Sequence, residues 1–168
     1  MAGWSYSNTS QISSTSKLLG DIMANLVPDA FKSELLSGTH NFASGGDTYY
    51  LALYASTSAT LGPYTTSSTV YSSTNEVSSS GTGYTTGGQV LDGQGVTVPG
   101  SNTAVADFSN EIFSSVTLSA LAAAIYNSSK SNKLVCVLDF GGTKTATAGD
   151  FTVQFPSPTA TAGLIRIA

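Results

Sequence analysis

The chain holds one histidine, His40, in Gly38-Thr39-His40-Asn41-Phe42, and one cysteine, Cys136, in Leu134-Val135-Cys136-Val137-Leu138. Either residue type can do nucleophilic or acid–base work, but each needs partners. A hydrolytic triad requires a nucleophile and a carboxylate beside the imidazole, and no Gly-x-Ser-x-Gly elbow or comparable signature is present. His40 is therefore expected to hydrogen-bond backbone where a helix hands over to the first strand, with Asn41 doing the same. Cys136, flanked by aliphatic residues, reads as a small buried core residue, and a lone cysteine forms no internal disulfide. One His and one Cys cannot build a zinc site, and the acids do not follow a calcium-loop spacing, so no metal and no cofactor is expected. Asp47, Glu76, Asp92, Asp107, Glu111, Asp139 and Asp150 could supply a glycosidase pair by number alone, but their spacing pairs none of them. Asp107 and Asp139 each precede a phenylalanine, as strand-end acids beside a core aromatic do. Gly81-Thr82-Gly83-Tyr84-Thr85-Thr86-Gly87-Gly88 lacks the lysine of a P-loop and the strand–helix context of a dinucleotide loop; its glycines suit turns or a bulge. The expectation is a protein without enzymatic activity.

The elements that would position these residues are mostly strands. Charged residues make up 10% of the 168-residue chain, against about 25% in ordinary domains, and Ser, Thr and Gly take their place. Residues 1–17 carry Trp4, Tyr6 and Ile12 among Ser, Thr, Asn and Gln and read as an extended arm whose rings would anchor on a neighbour. Residues 18–168 read as a single β-rich domain with short helices at about 18–37. Leu18, Leu19, Ile22, Met23 and Leu26 recur at helical spacing over Lys17–Leu26. A second helix runs from Pro28 through Phe31, Leu35 and Leu36 to Gly38 as its C′ residue. At Tyr49–Tyr54 the period becomes two, with Tyr49, Leu51 and Leu53 facing one side and Tyr50, Ala52 and Tyr54 the other.

Short strands are expected at Val90-Leu91 and Val96–Val98, divided by the turn signal Asp92-Gly93, and at Ala104–Phe108, Glu111–Leu118, Ala122–Tyr126, Leu134–Phe140, Asp150–Phe155 and Leu164–Ile167. Turns between them are read at Asn127-Ser128-Ser129, Gly141-Gly142, Ala148-Gly149 and Pro156-Ser157-Pro158. The fold class is mainly β, a β-sandwich or jelly-roll-like barrel with short N-terminal helices and an extended N-terminal arm. Residues 55–74 read as a long Ser/Thr-rich surface loop around Leu61-Gly62-Pro63, and Leu61, Pro63 and Tyr64 join Trp4, Tyr6 and Ile12 as the candidate interface.

Formal net charge is -4 with a sequence pI near 4.6, and the six Lys and Arg residues form no stripe. Direct nucleic-acid binding is not expected. No run of about 18 apolar residues offers a membrane span, and Met1-Ala2-Gly3-Trp4-Ser5 lacks the basic and apolar regions of a secretory leader. Synthesis and assembly in a cytoplasm is the expectation.

The order of motifs carries a resemblance. Val27-Pro28-Asp29-Ala30-Phe31-Lys32, Gly38-Thr39-His40-Asn41-Phe42, Tyr50-Leu51-Ala52-Leu53-Tyr54, Asn75-Glu76-Val77 and the glycine-rich segment 81–88 together resemble small structural proteins of tailed bacteriophages. Ala106-Asp107-Phe108, Ala124-Ile125-Tyr126-Asn127, Val137-Leu138-Asp139-Phe140-Gly141 and Gly149-Asp150-Phe151-Thr152-Val153 continue the pattern, so it covers about residues 27–168. The resemblance implies a non-catalytic virion protein, of the capsid decoration or cement type, that binds the major capsid protein or other virion proteins and forms a homo-oligomer. The alternatives are a tail, head–tail connector or fibre-associated component, or a carbohydrate-binding β-sandwich module.

Overall fold

The structure, a computed structural model, describes residues 26–55, 62–100 and 102–168. A helix, α1 (Asp29–Leu36), precedes seven strands: β1 (Tyr49–Tyr54), β2 (Gln89–Val90), β3 (Gly95–Gly100), β4 (Thr103–Asp107), β5 (Glu111–Asn127), β6 (Lys133–Val153) and β7 (Ile165–Ile167). They form two antiparallel sheets, one in the order β2-β1-β5-β6 and the other β3-β4-β7. The chain is mainly β, as the turn-punctuated apolar runs indicate.

Helix α1 starts where Pro28, with φ fixed at -62°, sets the chain direction. It ends in a Schellman motif: the Thr39 N–H donates to the Glu34 carbonyl at 2.9 Å and the Gly38 N–H to Leu35 at 3.2 Å. Gly38 can take the required φ of 69° without a Cβ penalty. Phe31 is fully buried from this helix, and Leu35 packs beside the core. The other expected helix, Lys17–Leu26, lies outside the described residues except at its last position. Leu26 is not helical: it forms an antiparallel bridge with Val137 on β6, through backbone bonds of 2.9 and 2.8 Å.

Strand β1 shows why its sequence alternates without a polar face. Tyr49, Leu51 and Leu53 enter a large core with Phe31, Phe42, Phe113, Ile125 and Val135, to which Ala106 of β4 and Ile165 of β7 also belong. That cluster is therefore shared by both sheets. Ala52 and Tyr54 enter a second cluster on the opposite face with Leu26, Tyr64, Ala122, Ala124, Tyr126, Leu134 and Val137. Burying each large side chain contributes about 1.5–3 kcal/mol, so a strand covered on both faces fixes its register strongly.

Two pairs of expected strands are single strands. Glu111–Leu118 and Ala122–Tyr126 are both parts of β5, and Leu134–Phe140 and Asp150–Phe155 fall largely within β6, which ends at Val153. The residues read as turns at Gly141-Gly142 and Ala148-Gly149 lie inside β6, where Gly141, Gly142 and Ala148 have positive φ and the ladder slips in register. They behave as bulges, which bend a long strand without ending it. Asn127-Ser128-Ser129 does turn the chain, through a short 3-10 segment at Ser128–Lys130. Asp92-Gly93 reverses nothing: β2 pairs with β1, whereas β3 pairs with β4 in the other sheet.

Candidate interaction surface

Of the six side chains expected at an interface, Trp4, Tyr6, Ile12 and Leu61 lie outside the described residues. Pro63 is half-buried and Tyr64 is buried. The Tyr64 hydroxyl sits 2.6 Å from that of Tyr54, and Tyr54 donates to the Ser72 carbonyl at 2.7 Å. The described part of the Ser/Thr-rich segment thus turns its aromatic rings into its own chain: a phenol that can hydrogen-bond at depth gains more there than at a wet surface. Val70 of the same segment bridges Lys133.

Among the described residues seven large apolar side chains are exposed; the most exposed, Leu36 at 91%, ends α1, and three share the second sheet. Val96 is 55% exposed, Val98 73% and Ile167 49%, all on the β3-β4-β7 sheet. Val96 pairs with Ala106, which pairs with Ile165, so these three share one face, and Ile167, opposite Ala104, lies on that same face two residues along. Ala106 and Ile165 reach the core, while β3 extends past it. Its six residues contain no charge. Val96-Thr97-Val98 is legible as a strand, but a single sequence does not say that its apolar side is left uncovered; the missing charges are the available hint.

Of the residues flagged for chemistry, His40 and Asp47 meet in one hydrogen-bonded network through Asn127, whose own side-chain oxygen is buried without a hydrogen-bond partner. The His40 side chain is fully buried. Its Nδ1 lies 3.0 Å from Asn127 Nδ2, which only donates, so Nδ1 accepts and Nε2–H donates to Glu34 Oε2 at 3.0 Å. Asn127 spends its second amide hydrogen on Asp47 Oδ2 at 2.9 Å, which fixes the amide orientation because a carboxylate offers no proton in return. Lys133 closes on the other Glu34 oxygen, and Lys130 stands 3.5 Å from Asp47 Oδ1.

His40 therefore binds side chains from helix α1 and from the end of β5, not backbone as expected. Asn41 does serve backbone: its side-chain oxygen accepts from the Ala43 N–H at 3.1 Å. Both ring nitrogens of His40 are spent, and the nearby Ser128 and Ser129 hydroxyls are tied to Thr48 backbone atoms. The group acts as a clamp between α1 and the β5–β6 connection. For Glu34, burial opposes ionisation but Lys133 and His40 outweigh it, and the carboxyl sits below its usual range. Asp47 is lowered in the same way, against burial, by Asn127, the Asn41 N–H and Lys130. Both contribute stability above the ordinary carboxylate range that is lost as pH falls. Replacing His40 with Ala leaves Asn127 and Glu34 short of partners and is expected to cost about 1–3 kcal/mol in urea unfolding.

Asp107 and Glu111 are shifted the other way, because burial outweighs the hydrogen bonds they receive. They flank the link between β4 and β5, where the chain passes from one sheet to the other. Burial pushes Asp107 up to about 6, against the Phe108 N–H, and its Oδ1 is buried without a partner. Burial, and then the Asp92 charge, push Glu111 up to about 7. With the Gln89 amide nitrogen turned inward, Gln89 donates to Glu111 Oε1 at 2.5 Å and to the Ile112 carbonyl at 3.0 Å. A carboxyl with a raised folded pKa keeps a proton that the unfolded chain releases, so stability falls as pH climbs from about 4.5 through about 7. Glu111→Gln is expected to match the parent near pH 4 and to exceed it at pH 8 by about 1–3 kcal/mol. Urea melts at the two pH values read this directly, and equal stability at pH 8 contradicts it.

Aromatic rings also line one face of the first sheet. Tyr50 stacks on Tyr126 at 5.6 Å and Tyr126 on Tyr71 at 4.5 Å, with interplanar angles of 19° and 26°. The faces of the middle ring are thus occupied by its neighbours, an arrangement that favours cross-strand packing over stacking on a sugar. Cys136 is buried, and burial pushes its thiol up to about 12, consistent with its reading as a core residue.

Among the described residues no group of three or more His, Cys, Asp or Glu is placed to hold a metal ion, and no helix is long and apolar enough to cross a membrane. No protein-family model, curated protein or solved structure matches the chain.

Proposed function

We propose that this chain is a non-enzymatic structural protein of a tailed-phage virion, a β-sandwich of the capsid decoration or cement type that attaches to the head shell. The observation that carries the reading is the uncharged, exposed β3 edge with Val96 and Val98. Soluble monomers usually guard such edges with charge, proline or a covering loop, because an open edge invites another strand; β3 has a single guard, Pro99 near its end, and no charge. A protein whose work is to pack against copies of itself and against other virion proteins has a use for that edge. Support also comes from the order of sequence motifs over residues 27–168 and from the way His40 is committed to a clamp. The partners are the major capsid protein or other virion proteins, and the place of assembly is the host cytoplasm.

Immunogold labelling tests this, using antibody against the purified chain on particles of the phage that encodes it. Regularly spaced label on heads is expected. Label confined to tails reassigns the chain to a tail or connector role, and particles without label remove it from the virion.

A further inference from the structure

Strand β3 is the outer strand of its sheet and exposes Val96 and Val98, and the chain itself holds a segment suited to it. We propose that residues 2–16 of a second copy of this chain add to β3 as an extra strand, extending the β3-β4-β7 sheet across two molecules. On its inner side β3 pairs Val96 with Ala106 and Thr97 with Val105; on its outer side no described strand follows. Apart from Pro99, which has no N–H, its backbone groups on that side are left for an added strand, most regularly over Gly95–Thr97 before the register shift.

Charge agrees with this occupant. Gly95–Gly100 and residues 2–16 contain no Asp, Glu, Lys or Arg, so pairing them desolvates no ion. Trp4 and Tyr6, two residues apart and so on one face of a strand, supply apolar rings that Val96 and Val98, also two apart, can receive.

The point at which the described chain begins suits delivery from a neighbour. Leu26 is bridged to Val137 of β6, in the other sheet. The nine residues 17–25 span about 30 Å when fully extended, enough to carry residues 2–16 away from the β6 edge to a copy packed alongside. The inference does not depend on the virion reading, since it concerns pairing between copies wherever they are found.

Trp4 is the only tryptophan, so its emission reports on this segment alone. The experiment follows Trp4 emission and sedimentation of the full chain across a concentration series, for the parent, for Val98→Lys at the edge, and for Val90→Lys as a control on β2. Both positions are exposed, at 73% and 42%, so both variants should keep the parent β spectrum and melting behaviour. Emission should shift to the blue as the sedimentation coefficient rises. Val98→Lys should move both transitions to about tenfold higher concentration, and Val90→Lys should move neither. Association with Trp4 still in water means that two β3 edges pair with each other, and overturns the proposal. A blue shift independent of concentration means docking within one chain, and overturns it too. So does a parent that stays monomeric with wet Trp4, or a Val98→Lys variant that associates like the parent.

Discussion

Replacing Gly88 with alanine is expected to destabilise the fold by about 4 kcal/mol or more, the range reached when backbone is forced off its native path. Gly88 holds φ at +78°, and a Cβ there would lie 1.9 Å from the Leu51 carbonyl oxygen and 2.8 Å from the Ala52 Cα. Both contacts are with the backbone of β1, which is buried on both faces and cannot retreat. The loop before β2 has to lift away, taking the Tyr50–Val90 and Leu51–Gln89 pairings with it. Gly81→Ala is the control: φ is +71° there, but nothing stands within 4 Å of the added carbon. Its cost is the left-handed backbone penalty alone, about 1–2 kcal/mol. Urea unfolding of the two variants side by side measures the difference. Equal losses would mean that the segment 85–88 does not sit against β1 as described; a Gly88 variant that fails to unfold cooperatively at all is the extreme of the expected result.

Glu76→Ala is expected to cost about 2–4 kcal/mol, because one carboxylate satisfies three donors, of which Tyr84 is buried and Tyr71 and Gly87 are half-buried. Tyr71 donates to Oε2 at 2.5 Å, Tyr84 to Oε1 at 2.5 Å, and the Gly87 N–H to Oε1 at 2.7 Å. Tyr84 also accepts from the Leu53 N–H at 3.0 Å, so the link reaches the central strand. Burial raises the Tyr84 phenol, and the bond to Glu76 raises it further, so it stays a donor at any ordinary pH. Glu76→Gln keeps one acceptor and brings two unwanted protons, and should lose about half as much, since bonds to a charged group are roughly twice as strong as neutral ones. Thermal and urea melts of the pair check the order. A Glu76→Ala loss below that of Glu76→Gln would place the stabilisation elsewhere.

The sequence makes some of this visible for physical reasons that can be traced residue by residue. Tyr49–Tyr54 alternates because β1 feeds two different cores, and Gly38 announces the end of α1 because a left-handed C′ position favours glycine. The glycines at 81, 83, 87 and 88 all have positive φ, as a turn or bulge reading requires. Elsewhere local chemistry is ambiguous. Gly141-Gly142 can end a strand or bulge within it, and what decides is the partner β5, which continues opposite both halves. Ala122, Ala123 and Ala124 show no polar alternation because both faces of β5 are covered there, so its continuity leaves no periodic trace. The clamp around His40 was out of reach in another way. Its partner Asn127 lies 87 residues along the chain, and Lys133 lies 99 residues from Glu34; no spacing rule spans such intervals. Tyr64 looked like a surface ring because its neighbours are Ser and Thr, yet Tyr54, which completes its hydrogen bond, comes from β1.

The pairing of β1 with β5 sets a timetable for synthesis. Tyr49–Tyr54 meets Ala122–Asn127, so the first of these apolar strands leaves the ribosome about seventy residues before the second. At elongation rates of about 5–20 residues per second that interval is about 4 to 14 seconds. Throughout it, five β1 residues that end buried, Tyr49 and the four from Leu51 to Tyr54, have no partner to cover them. The β5–β6 hairpin, closed by a short local connection, can form as soon as it emerges, and β1 must then be captured by it from a distance. Chaperone demand and aggregation should therefore concentrate in nascent chains carrying β1 but ending before residue 127, and conditions that slow elongation across that stretch should lower the soluble yield more than the stability of the finished fold would suggest.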